Sequence, residues 1–560
     1  MKLTQAQLSR RIDAAQGRIL CDLILKNVRY LDVFSLSWHL GDVAVVDGII
    51  VGLEPGLKGL RTIDGAGKSL VPGFIDAHVH IESSMCLPEG FSRAVLPKGT
   101  TTAICDPHEA ANVLGAPGIE YFLRAAESLP LDLRVMLSSC VPATHLETNG
   151  AGQLLAQDLI PWRNHPRVLG LAEMMNVPGL LQKSEAVLAK LEAFSDMPID
   201  GHAPLVKGQA LSAYAACGIS SCHESTELDE AREKVTKGMS VWIREGSVAK
   251  DLTRLIPILN VATSTSVGFC TDDRNPLDIA TEGHIDYLVR RAIASGVPSA
   301  VAYRSASWTV ARHYGLKEKG AVAPGCVADL VLLEDTEHCG IAQVFRAGIS
   351  VDELETRGPV SVAFPNTVRA VIPEARELEG PVGSVHVIEV VPGKILTGRR
   401  IADSRAPGVL RLSVLERHGK GSRPANAYVS GFGHSFRGAI ASSVGHDSHN
   451  LIVVGSSSED MRIALVALRE SGGGYAVVQD GKLLERLPLP FAGLMTAATP
   501  ELIRDQLLAL RKAARTVGCE LAEPFLALAF LSLPVIPSLK LTDKGLVDVD
   551  AFKIIDVRAA

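Results

Sequence analysis

An α/β fold built around an eight-stranded (β/α)8 TIM-like barrel, with a small split β-sandwich and a C-terminal α+β domain, is what this 560-residue sequence predicts. Three observations carry the prediction. Between residues 73 and 319, short apolar runs ending in polar tips alternate with helix-like segments. The β-rich pattern that precedes this region returns after it, and the last third of the chain changes rhythm again.

The opening stretch, MKLTQAQLSRRIDAAQGRIL, places Leu3, Leu8, Ile12 and Ala15 at helical spacing among polar residues. It lacks the continuous apolar run of a secretory signal and predicts a surface helix over 1–18. Residues 19–72 read as short strands, and Asp47-Gly48 between the two apolar runs of VAVVDGIIVGL is a hairpin signal. Similar strands return at 320–375, in GAVAPGCVADLVLLED and VFRAGISV. The pieces 19–72 and 320–375 are expected to pair into one β-sandwich domain bracketing the middle of the chain.

That middle, 73–319, holds eight candidate strands, ending at GFIDAHVH, TTTAICDPHE, DLRVMLSSCVP, RVLGLAEMMN, MPIDGHAP, GISSCHES, GMSVWIREGS and SVGFCTDDR. Eight strands with intervening helices over about 250 residues indicate a (β/α)8 barrel, whose active site lies at the C-terminal strand tips. From 376 to 560, HVIEVVPGKILTGRR and a second Asp-Gly hairpin in GYAVVQDGKLLERLPL precede helix-like segments, which predicts a separate α+β domain. The longest apolar stretch, FLALAFLSLPVI (525–536), is too short to span a bilayer and contains Pro534, so it reads as core.

Hydrophobic residues make up 47% of the chain and charged ones 21%, the balance of a folded globular protein, and the net charge of −6 leaves no basic footprint for nucleic acid or an anionic membrane. A small-molecule substrate fits better. Ten cysteines without a CxxC pair read as reduced thiols, consistent with a cytoplasmic protein.

The chemistry gathers at the strand tips. His78 and His80 end the first strand, and side chains at i and i+2 of a strand share a face, so both imidazoles can converge on one point. Glu173 ends the fourth strand, His202 the fifth, His223 the sixth and Asp272 the eighth. Four histidines and two carboxylates at one rim read as a metal centre, and they overfill a single site that must keep a position open. Two ions are therefore expected, with His78, His80 and Asp272 on one, His202 and His223 on the other, and Glu173 as the bridge. A hydroxide between the ions is the expected nucleophile.

PGFIDAHVHIE, the histidines ending strands five and six, TDD ending strand eight and the flanking GAVAPGCVADLVLLE resemble the amidohydrolase superfamily. HVHIESSM, CDPHEAANVLG, LAEMMNVPG, DGHAP, TDDRNPLDIATEGHID, DSHNLIVVGSSSEDM and LPLPFAGLM resemble, more closely, its bacterial adenine deaminase family. Many superfamily members bridge their metals with a carboxylated lysine on strand four. Here the position holds Glu173, as in the adenine deaminases and unlike the hydantoinase and dihydroorotase branches. The resemblance implies hydrolytic deamination of adenine to hypoxanthine and ammonia, with two Mn2+ or Fe2+ ions, zinc being an alternative, in a cytoplasmic homo-oligomer, expected to be a dimer. Hydroxide attack at C6 requires a proton on N1 and a protonated leaving amine. Asp272 is the expected proton shuttle, and Glu82, Glu109 and Glu224 are the candidate N1 donors.

Glu82, Ser83, His108 and Glu109 are expected to meet the purine, although His108 and Glu109 could instead order their loop. His284 and Asp286 read as helix-start or packing residues. His446, Asp447 and His449 in GHDSHN are read as structural or as part of a lid over the barrel, and SGGGY (471–475) as a turn. The rival functions are hydrolysis of another aminopurine or a cyclic amide, and an inactive scaffold of the same fold.

Overall fold

The computed structural model describes residues 3–65, 67–354, 365–421 and 423–559; within the expected sandwich segment 320–375, residues 355–364 lie outside the described residues. The central strands are β1 (Phe74–Val79), β2 (Thr100–Cys105), β3 (Asp132–Leu137), β4 (Val168–Met174), β5 (Ile199–Gly201), β6 (Ser221–Cys222), β7 (Ser240–Arg244) and β8 (Val267–Cys270). The first five pair in parallel in chain order, as do the last three. Single parallel bridges, Ile199 to Ile219 and Val79 to Asp272, join the two sheets at both seams, so the strands follow one another around a ring. Every residue of β1 and β2 is buried, the pattern expected of parallel strands covered on both faces. This is an α/β domain of TIM-like form.

A ring of charges closes the N-terminal end of the strands. Asp132, at the start of β3, is 1% exposed and meets Lys319 at 2.9 Å, Arg134 at 3.0 Å and Arg167 at 2.6 Å. Lys319 also meets Asp329, which pairs with Arg346 at 2.7 Å and so ties the barrel floor to the neighbouring sheet.

That sheet has eight strands drawn from residues 21–72 and 330–350. Strand Ser69–Pro72 runs antiparallel to Leu330–Asp335, with Leu70 opposite Leu332. In its hydrogen bonding it is a single sheet. The long strand Cys21–Asp32 bends at a register shift beside Asn27 (φ 55°), and its halves pair in parallel with different partners, Gly59–Asp64 and Ser69–Pro72. Asp47 (φ 52°) and Gly48 (φ 73°) make the turn between Ser37–Val46 and Ile49–Gly52, as a two-residue hairpin with positive φ at both positions requires.

The N-terminal helix, Gln5–Ala15, starts at a Thr4/Gln7 capping box. Its periodic apolar residues do not face the protein: Leu8 is 44% and Ile12 52% exposed, while Ala14 packs against Cys21, Ile24 and Val46. A small residue lets the helix approach the sheet closely, and the larger ones are left outside.

The C-terminal region contains a second eight-stranded sheet, from Ser384–Val390 to Lys482–Pro488, with helices Ser458–Glu470 and Pro500–Thr516. Asp480 and Gly481 form its Asp-Gly turn, and Gly472 and Gly473 lie between helix Ser458–Glu470 and strand Gly474–Gln479. A three-stranded sheet, Leu539–Thr542, Gly545–Asp548 and Lys553–Ile555, completes the chain. Among the described residues no helix is long and apolar enough to cross a membrane. All ten cysteines are unpaired, and only Cys217 is exposed.

Candidate metal centre

Strand geometry brings the first two histidines together. His78 and His80 lie two residues apart at the end of β1, and their Nε2 atoms are 3.1 Å apart. The peptide groups beside them bind the last strand: Asp272 N–H donates to the His78 carbonyl at 3.0 Å, and His80 N–H to the Asp272 carbonyl at 3.2 Å. Asp272 adopts φ 56°, a left-handed conformation uncommon for a residue with a side chain and frequent at functional sites. Its Oδ1 reaches His80 Nε2 at 3.2 Å and His78 Nε2 at 3.6 Å.

Glu173, at the tip of β4, divides its two oxygens. Oε1 lies 3.3 Å from His80 and 3.8 Å from His78, whereas Oε2 lies 2.6 Å from His202 and 3.3 Å from His223. Every one of these side chains is buried. His202 is positioned from behind: its N–H donates to the Tyr214 hydroxyl at 3.0 Å, which donates to the Met174 carbonyl on β4 at 2.6 Å.

Two further carboxylates lie beneath the cluster. Asp76 takes hydrogen bonds from the Thr271 amide and hydroxyl, tying β1 to β8. Asp200 accepts from Ser221 at 2.6 Å and from Tyr314 at 2.8 Å. Burial pushes both up to about 7. Each precedes a rim histidine by two residues and hence shares its face of the strand.

Sequence reasoning missed Arg244. It ends β7, is 2% exposed, and donates to Asp272 Oδ2 at 2.9 Å, to Asp251 at 2.9 Å and to Glu224. Asp272 is therefore split as Glu173 is, one oxygen toward histidines and the other toward the guanidinium, with Glu224 fixed as a second acceptor.

The expected substrate contacts separate in the structure. His108 Nδ1 lies 3.3 Å from Glu173 Oε1 and 2.9 Å from Asp106, within the histidine cluster itself. Glu109 lies 2.9 Å from His446 Nδ1 on the C-terminal domain. Glu82 is outside the cavity lining, accepting the Ala110 N–H at 3.0 Å, and burial followed by the proximity of Glu109 raises its carboxyl to about 8. Ser83 is also outside that lining and donates to Asp273. His284 bonds Thr100 at 2.9 Å beneath the barrel and precedes helix Ile285–Ala294, and Asp286 accepts its N–H, so neither lines the cavity.

The C-terminal domain supplies the facing wall. Ile395, His446, Asp447, Phe530, Leu533 and Ile536 close over the histidines, leaving about 30 Å³ of free space, room for a water or two. Asp447 reaches His108 Nε2 at 3.7 Å. His449 is buried behind, 3.9 Å from Glu109. FLALAFLSLPVI is thus core on one side and the roof of the site on the other. Its apolar pattern is that of any buried segment, so nothing local distinguishes the roof.

The donor set fits divalent ions. Ligand atoms of His78, Glu173 and His223, of His78, His80 and Asp272, and of His202, His223 and Glu224 each lie within 4.8 Å of one another. Buried His202 Nε2 and Glu224 Oε2 lack hydrogen-bond partners, as ligand atoms awaiting an ion would.

Comparison with known proteins places this geometry in a family. Residues 69–351 match the amidohydrolase family, and 391–553 match the adenine deaminase C-terminal domain. The chain is 50% identical to an adenine deaminase of Gluconobacter oxydans over 561 residues, covering 97% of this chain and 99% of that one. The chain belongs to the adenine deaminase family. Two other relatives bear the same name: an adenine deaminase 1 of Agrobacterium fabrum, 48% identical over 99% of this chain and 98% of its own, and one of Methylobacterium nodulans, 50% identical over 98% of this chain and 100% of its own. As an adenine deaminase family member the chain is an amidohydrolase, and its candidate metal clusters accord with a metal-dependent family.

Proposed function

We propose that this protein hydrolyses adenine to hypoxanthine and ammonia. The observation that carries the reading is the near-full-length match, at 50% identity, to a protein named adenine deaminase. The split of the Glu173 oxygens between the His78/His80 and His202/His223 pairs supports it.

In this reading His78, His80 and Asp272 would hold one divalent ion and His202 and His223 the other, with Glu173 available to both. Mn2+ and Fe2+ are the favoured ions. Divalent ions bound there supply the Lewis acidity that lets water attack a carbon at neutral pH. The residues do the rest. Asp272 Oδ1, oriented by Arg244 on its other oxygen, accepts the proton of the attacking water and returns it to the departing amino group, which leaves C6 as ammonia. N1 takes a proton from a neighbouring donor as the ring loses aromaticity, and the C6 hydroxyl gives one back to that donor as the carbonyl forms. Of the three glutamates considered, Glu82 lies outside the lining and Glu224 is paired with Arg244, whereas Glu109 lines the cavity beside His446, which against the effect of burial holds its carboxyl low, at about 2; the Glu109–His446 pair, with its proton on the imidazole, is therefore the best-placed donor. The barrel rim supplies the reacting groups, the split sheet braces the barrel, and the C-terminal domain excludes water.

The test is direct. Metal-loaded protein is incubated with adenine, adenosine and dihydropyrimidines, and ammonia and hypoxanthine are followed. Adenine alone is expected to yield both. Ammonia release or ring opening confined to dihydropyrimidines would favour a cyclic amide hydrolase instead.

A further inference from the structure

One buried cation in the C-terminal domain has no counter-charge. Lys540, on strand Leu539–Thr542, is 0% exposed, and among the described residues no carboxylate lies within ion-pair distance of it. Its Nζ donates to two backbone carbonyls, that of Ile395 at 2.9 Å and that of Phe530 at 3.0 Å. A lone ammonium is costly to bury, and burial alone pulls Lys540 down to about 7.

Both acceptors belong to the roof. Ile395 and Phe530 line the metal cavity together with Leu533 and Ile536. Phe530, Leu533 and Ile536 form a discrete apolar cluster with Val248 of the barrel, with Ile395, Leu396 and Val535 packed against it. The Phe530 ring stacks on His446, with centroids 4.6 Å apart. The two segments are 135 residues apart in sequence by number (530 − 395), and a single side chain spans them.

We propose that Lys540 is a positioning residue: it fastens the 395 and 530 segments into one roof and thereby sets how tightly the purine is held. The kinetic part rests on the function proposed above; the clasp itself does not. Replacing the ammonium with an apolar chain of similar length leaves the part-buried Ile395 carbonyl without its donor and the Phe530 carbonyl with only the Leu533 N–H at 3.5 Å. The roof then opens more often, and substrate binding weakens before chemistry does.

The experiment compares metal-loaded wild type with Lys540→Met by hydrogen–deuterium exchange and steady-state kinetics. Amides around 393–397 and 528–536 are expected to exchange about tenfold faster in the variant, in line with the loss of a buried donor, while the barrel strands keep their protection. KM for adenine is expected to rise about tenfold with kcat changed less than threefold and metal content unchanged. Lys540→Gln, which retains N–H donors on a shorter chain, should fall between the two and carries the same test if Lys540→Met does not fold. Unchanged exchange in both segments overturns the clasp, whatever the kinetics. Faster exchange in a protein whose wild type leaves adenine intact upholds the clasp and overturns the function instead.

Discussion

Glu173 and Asp272 each turn one oxygen one way and the other elsewhere, so single substitutions separate their roles. Because each Glu173 oxygen faces a different histidine pair, Glu173→Ala is expected to lower the divalent metal bound per chain, measured by elemental analysis after dialysis. Full occupancy of two sites in that variant would remove the bridge. Asp272→Asn keeps an oxygen toward His80 and is expected to retain most of the metal, while kcat falls by on the order of 10²- to 10⁴-fold, the usual worth of a general acid–base group. Activity within a few-fold of wild type at full metal loading would move the shuttle to Glu109. The rim residues were legible because their position at the ends of strands, and the period of two within β1, can be read locally. Arg244 was not, since an arginine ending an apolar run gives no sign that Asp272, 28 residues later, completes its fork. Nor could sequence show that His446 would face Glu109, since that meeting depends on how two domains pack.

At the scale of elements, the eight barrel strands and both Asp-Gly turns could be read from apolar runs and turn residues even where the strand is as short as β6. The N-terminal helix shows the weakness of the same reasoning: apolar spacing indicates a helix, but Ala14 rather than Leu8 or Ile12 forms the contact. The charge ring under the barrel left no local signal, because its members come from β3, the following loops and the split sheet. It is a structural feature, at the face opposite the chemistry. Lys319, Arg134 and Arg346 hold the Asp132 carboxyl well below its ordinary value, against the opposing effect of burial. A depressed carboxylate contributes stability that is complete above its unfolded value of about 3.9 and is lost as pH falls through the folded one. Asp132→Asn is therefore expected to lower stability by about 3 kcal/mol at pH 7 in urea unfolding. The gap from wild type should narrow only below about pH 4. A gap independent of pH down to the acid transition would mean that the ion pairs are not its source. Adenine turnover per folded molecule should be unchanged.

Across the whole molecule, the site is a contact between domains. The barrel rim supplies histidines and carboxylates, and the C-terminal domain supplies Ile395, Phe530, Leu533 and Ile536, with about 30 Å³ left between them. A space of that size admits a purine only when the roof lifts, and the roof must lift less for a free base than for a nucleoside. kcat/KM for adenosine is accordingly expected to be more than about tenfold below that for adenine. Comparable values for the two would mean that the roof does not reach the N9 edge of the purine, from which ribose projects.

The pairing of Ser69–Pro72 with Leu330–Asp335 also bears on how the protein is made. At ordinary synthesis rates roughly 15 to 50 seconds separate the emergence of the two strands from the ribosome. Throughout that interval Leu70 and Val71, fully buried in the finished protein, belong to an unfinished sheet whose hydrogen-bonding edge is open. Chains released before Leu330 are expected to be recovered as aggregates, and the nascent chain depends on the barrel forming quickly enough to deliver the missing strand.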